Sequence, residues 1–200
     1  MSVPNPRSIR VVGLLVATSL GLAGCSGGHD VVDQQAGGTY RYTGATERGK
    51  MIAAADRRVA GNATAPYLDD SGTWQLADEN GKIVVLNYWA SNCGPCVTET
   101  PAFEKIYRGV KDKGGQFIGI DVREVSKSKA KSFIANNDVT YPIVYDQRGK
   151  TAIELGKVPS AAIPYTVLID KQGRVAAVYF GALGPGDLTP VLDRLVAEPG

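Results

Sequence analysis

Ile83-Val84-Val85-Leu86-Asn87-Tyr88-Trp89 is an almost unbroken run of apolar, strand-forming residues in a chain of 200. A strand with one wet face alternates polar and apolar positions, so a continuous run demands cover on both sides. That is the situation of a central strand in a sheet sandwiched by helices. The segments that follow supply the layers. Phe103, Ile106, Tyr107 and Val110 recur at i, i+3, i+4 and i+7, the stripe of a helix that ends before Gly114-Gly115. Residues 116–122 read as a second strand, and Ser126 is placed to cap a helix burying Ala130, Phe133 and Ile134. Residues 141–145 form a third strand, with a weak helical stretch at 151–155. Residues 165–170 and 175–180 flank Lys171-Gln172-Gly173-Arg174 as a hairpin. Leu188, Val191, Leu192 and Leu195 mark a closing helix. Upstream, residues 74–78 suggest a short strand and 79–82 a turn. The expected class is α/β, a central mixed sheet flanked by helices, with parallel strands first and an antiparallel pair last.

The N-terminal quarter has a different character. Arg7 and Arg10 precede the apolar run 11–23, which ends in small residues before Cys25. This reads as a secretory signal peptide, and the run is shorter than the roughly 20 residues a spanning helix needs. Leu22-Ala23-Gly24-Cys25 resembles a bacterial lipobox, which implies removal of residues 1–24 and a lipid on Cys25. A single acyl chain binds membranes marginally, so stable anchoring implies more than one. Residues 25–60 lack any period and read as a tether, with a short strand at 39–42 and the folded domain occupying 61–200. His29, the single histidine, lies in that tract. No zinc site can be assembled from it and one Cys pair. Without Arg7 and Arg10, basic and acidic residues balance at 20 each. That balance gives no electrostatic case for nucleic acid.

Cys93-Gly94-Pro95-Cys96 joins the central strand to the first helix. A thiol at a helix start has unpaired N–H groups and the positive end of the macrodipole beside it, both of which stabilise the thiolate. Cys93 is therefore the candidate nucleophile. Cys96, three residues on and on the same side of the first turn, is placed to close a disulfide or to resolve a mixed one. Pro95 suits a first turn that needs no N–H from it, and Gly94 keeps the approach to sulfur open. The competing readings are two structural buried Cys, half a zinc site and a permanent disulfide staple. The first rarely brackets Gly-Pro at such a turn, the second lacks further ligands, and the third closes too short a loop to stabilise much.

Residues 87–101, Asn-Tyr-Trp-Ala-Ser-Asn-Cys-Gly-Pro-Cys-Val-Thr-Glu-Thr-Pro, resemble the active-site signature of the thioredoxin superfamily and, within it, of the TlpA/ResA-like extracytoplasmic thiol-disulfide oxidoreductases. Residues 162–170 with Gly173 resemble the same family's cis-proline strand and hairpin. The resemblance implies a thioredoxin-like fold over about 61–197. It implies that Trp89 packs beside the disulfide, that Pro164 is cis and faces the sulfurs, and that the backbone of Ile163 pairs with an extended substrate. Trp89, Gly94, Pro95, Ile163 and Pro164 are thus the expected substrate-contact residues. Two departures matter. Asn87 stands where cytoplasmic thioredoxins carry a buried Asp, and an amide cannot accept the Cys96 proton. Glu99, three residues after Cys96 on the same helical face, matches a Glu of the ResA-like branch; partly buried, its pKa would rise towards the working pH. Asn92 replaces a Trp found before the first Cys in many relatives, which opens the mouth of the site.

The resemblance implies a membrane-tethered extracytoplasmic enzyme that needs no cofactor, with Cys93, Cys96 and Glu99 as its catalytic residues. It implies protein thiols and disulfides as substrates, apocytochrome c cysteines among them, and a CcdA-type membrane thiol reductase as electron donor. The alternatives are a DsbE/DsbA-like oxidant of exported proteins, a peroxiredoxin-like peroxidase and a non-catalytic binding lipoprotein. The peroxidase would need a Pro-x-x-x-Thr-x-x-Cys loop, which the sequence lacks.

Overall fold

The structure is a computed structural model and describes residue 1 and residues 38–124, 126–159 and 162–200. The signal peptide, Cys25 and His29 lie outside the described residues.

Five strands form one mixed sheet in the order β5-β4-β3-β6-β7: β3 (Ile83–Trp89), β4 (Gly115–Asp121), β5 (Ile143–Tyr145), β6 (Tyr165–Ile169) and β7 (Val175–Phe180). β3 pairs parallel with β4 and antiparallel with β6, and every one of its seven residues is buried, as its unbroken apolar sequence requires. Helices α1 (Gly94–Val110), α2 (Lys127–Asn136) and α4 (Pro185–Ala197) contribute Phe103, Ala130 and Leu192 to one face. The other face is covered by α3 (Lys150–Gly156), by the hairpin β1 (Thr64–Pro66) and β2 (Thr73–Gln75), and by the segment before them. The expected α/β class holds, with the helical stripes where their spacing placed them.

Three expectations need correction. The domain does not begin at 61, because residues 38–60 are part of it. Tyr40 and Ile52 are buried in the core, and backbone N–H groups of Thr46 and Ile52 donate to Val178 and Ala176 of β7 at 2.7 and 2.8 Å. This arm satisfies the outer edge of β7, which would otherwise present unpaired backbone groups. It shows no period because irregular backbone, not a helix or a ladder, makes those bonds; at 39–42 the arm forms only isolated bridges. Arg57 at the arm's end is buried, and its guanidinium meets Asp170 at 3.1 Å and Glu198 at 2.5 Å. The second correction concerns 74–78. The strand stops at Gln75 and Leu76–Glu79 form a 3-10 turn, held by Asn62 Oδ1 accepting from Ala77 N at 3.0 Å. Third, Ser126 occupies the N-cap of α2 but its hydroxyl pairs with that of Ser128 at 3.0 Å and makes no capping bond. Of the residues expected to be buried by α2, Ala130 is fully enclosed, while Phe133 and Ile134 are half-buried.

Candidate active site

β3 delivers the chain to the upper end of the sheet, where Ala90–Asn92 turn it into α1. Cys93 is the N-cap of α1, with extended backbone, and its Sγ accepts from the Cys96 N–H at 3.3 Å. One of the helix's orphan donors therefore points at sulfur. Cys93 and Cys96 are joined in a disulfide with their Cα atoms 5.2 Å apart. Cys93 is half-exposed and Cys96 wholly buried, so an incoming sulfur reaches only the first. Asn92, Gly94 and Pro95 are exposed around it. The approach loop is held by Glu124, which is buried and accepts from the Ser91 N–H at 2.9 Å.

Trp89 is buried in the same apolar cluster as both cysteines, with its ring 4.9 Å from that of Phe133. The Ile163–Pro164 peptide is cis. Pro164 leads into β6, whose Tyr165 lies in register with Tyr88, which puts the proline at the disulfide end of the sheet. Ile163 is half-buried and touches the cluster that holds the sulfurs. The residues singled out from sequence are thus gathered at one end of the sheet, with Gly94 and Pro95 at its surface.

Glu99 is buried one turn beyond Cys96. Its Oε1 accepts from Asn87 Nδ2 at 2.8 Å and its Oε2 from the Leu183 backbone N–H at 3.0 Å. Burial pushes its carboxyl up to about 7, against the Asn87 amide, the Leu183 N–H and the Arg48 guanidinium, which pull it down. A carboxyl in that range takes and returns a proton at neutral pH. Asn87 thus fixes one oxygen of the Glu99 carboxyl. A polar residue inside an otherwise apolar buried strand must have a partner, and that rule was the available signal.

A second carboxyl escaped the sequence reading. Asp121 closes β4, in register with Trp89, and is completely buried with neither oxygen hydrogen-bonded among the described residues. Burial and then the nearby negative charge of Glu124 push it up to about 8. Its position at the end of an apolar strand was the only trace it left in sequence.

A paired thiol at the N-cap of the first helix, opposite a cis-proline strand, on a sheet of this order, defines a thioredoxin-like domain. Residues 57–178 match the AhpC/TSA family, and the chain belongs to it. The chain is 32% identical over 126 residues to the thiol-disulfide oxidoreductase ResA of Oceanobacillus iheyensis; the match takes in 63% of this chain and 60% of the relative, so the chain spans under two thirds of that protein's length. Among solved structures, a secreted thiol-disulfide isomerase from Corynebacterium glutamicum superposes with a TM-score of 0.75 at 32% identity, covering 81% of this chain and 100% of the other. A DsbF homologue from Corynebacterium diphtheriae gives 0.73 at 35% identity, covering 78% and 99%.

Proposed function

We propose that this protein is an extracytoplasmic thiol-disulfide oxidoreductase that exchanges the Cys93–Cys96 disulfide with those of other proteins. The observation that carries the reading is the asymmetry of the pair: a half-exposed sulfur at the helix cap, a buried one behind it, and a buried carboxyl one turn further on. In the reduced protein the Cys93 thiolate attacks a substrate disulfide, forming one S–S bond and releasing one substrate thiolate. Cys96 then gives its proton to the Glu99 carboxylate, and its sulfur attacks Cys93. The Cys93–Cys96 bond forms, the second substrate sulfur leaves with its electron pair and takes up a proton, and two electrons have passed to the substrate.

The substrate class and direction follow from the TlpA/ResA-like signature: reduction of protein disulfides in cytochrome c maturation, with apocytochrome c cysteines as targets and a CcdA-type membrane protein returning electrons. The leader, the lipobox-like 22–25 and the secreted relative support a location outside the cytoplasm, tethered through Cys25. Reduction of insulin disulfides tests the chemistry. Cys93→Ser abolishes it, and retained activity in that variant would sink the mechanism. A strongly reducing potential supports the direction, and a value near the oxidising end transfers the protein to the oxidants of exported proteins. Recovery of the full chain with the membrane fraction, lost in Cys25→Ala, checks the tether.

A further inference from the structure

The exchange reaction leaves one contact behind Glu99 unused. Arg48, in the arm over β7, reaches into the loop between β7 and α4: its Nη1 donates to the Ala182 carbonyl at 2.7 Å and its Nη2 to the Phe180 carbonyl at 3.2 Å. Nη1 also lies 3.6 Å from Asp187 Oδ2 on α4. Gly181, between the two carbonyls, has φ +80°, and a Cβ there would stand 2.9 Å from Nη2. The Ala182 carbonyl and the Leu183 N–H belong to one planar peptide group. Arg48 holds its oxygen, and Glu99 Oε2 accepts from its nitrogen. Donation to the carbonyl polarises the amide and strengthens the N–H as a donor, while the plane fixes where that N–H points.

We propose that Arg48 is a positioning residue for Glu99, acting through the Ala182–Leu183 peptide group, so that the N-terminal arm belongs to the proton-handling machinery as well as to the sheet edge. The proposal rests on the reading of Glu99 as the acceptor of the Cys96 proton. Glu99 is buried on the same helix as Cys96 and Thr100, bonded to Asn87 of β3 and to Leu183 with the Arg48–Asp187 pair behind it, and its charge helps to push up the Tyr141 phenol. The guanidinium charge and the N–H it orients both favour the carboxylate, so loss of Arg48 raises the pKa of Glu99. Fewer Glu99 carboxylates are then available at neutral pH to take the Cys96 proton.

The test uses the full chain, reduced and reacted with 5,5′-dithiobis(2-nitrobenzoate). Cys93 first captures one thionitrobenzoate, and attack by Cys96 releases the second, whose colour reports the resolving step across pH 5 to 9. In Arg48→Ala the rising limb moves up by about half to one pH unit, which slows resolution about two- to fivefold at pH 7 and leaves it unchanged at pH 9. Arg48→Lys, which keeps the charge without the fork, shifts less. In a Glu99→Gln background Arg48→Ala adds nothing. A profile for Arg48→Ala that overlies the parent, while Glu99→Gln departs from it, overturns the proposal and spares the reading beneath. Should Glu99→Gln itself overlie the parent, the proton-handling reading fails and the proposal goes with it. Carbon-13 titration of the Glu99 carboxyl in the oxidised protein gives a second measurement independent of turnover: it moves upward in Arg48→Ala and Arg48→Lys, and identical titrations refute the link.

Discussion

Glu99 and Asp121 are two buried carboxyls on one face of one sheet, and they are treated in opposite ways. Glu99 sits against Asn87, and Asp121 lies in register with Trp89, two residues further along β3 on the same face. Burial raises both. At Glu99 an amide, a backbone N–H and a nearby guanidinium oppose that rise, and the group settles at about 7. Among the described residues nothing of the kind reaches Asp121; the charge of Glu124 adds to its burial, and it settles at about 8. The lesson is that burial alone does not make a proton carrier. Donors aimed at the carboxylate keep both protonation states accessible, and where they are missing the acid holds its proton through neutrality.

The contrast is sharpened most by Asp121→Asn. From 3.8, its ordinary value, up to about 8, the folded protein keeps a proton that the unfolded chain has released. The stability this group gives is therefore full below 3.8 and is lost as pH rises through that window. The loss is at most about 6 kcal/mol, from about four pH units at about 1.4 kcal/mol each. Urea unfolding at pH 4 and pH 8.5 should show Asp121→Asn matching the parent at the lower pH and exceeding it by several kcal/mol at the higher; parallel pH slopes would contradict the burial argument. The next effect is kinetic. Glu99→Gln should slow the resolving step about 100-fold at pH 8, whereas Asp121→Asn should leave it within about twofold. Equal slowing in the two variants, read by release of the second thionitrobenzoate, would break the comparison and make both carboxyls part of one proton path.

Much of the site is legible in the sequence. The 83–89 run, the Cys-Gly-Pro-Cys turn and the 103–110 stripe fixed a strand, a cap and a helix in sequence, because periodicity reports directly on which faces are buried. The arm was hidden for the same reason. Residues 38–60 bury Tyr40 and Ile52 through irregular backbone, and irregular backbone has no period to read. Nothing near Arg48 in sequence marks it out; only its 2.7 Å bond to Ala182, 134 residues away, gives it a part at the site.

By itself, then, the sequence determined the order of strands and helices from residue 83 onward, the placing of two thiols at a helix start, and a carboxyl one turn behind them. These are local consequences of residue type and spacing. Tertiary structure alone decided which long-range donors meet that carboxyl, that Asp121 has none among the described residues, and that the segment before residue 61 closes the sheet edge. Hydrogen bonds and desolvation depend on atoms brought together from far along the chain, and no window of sequence contains both partners.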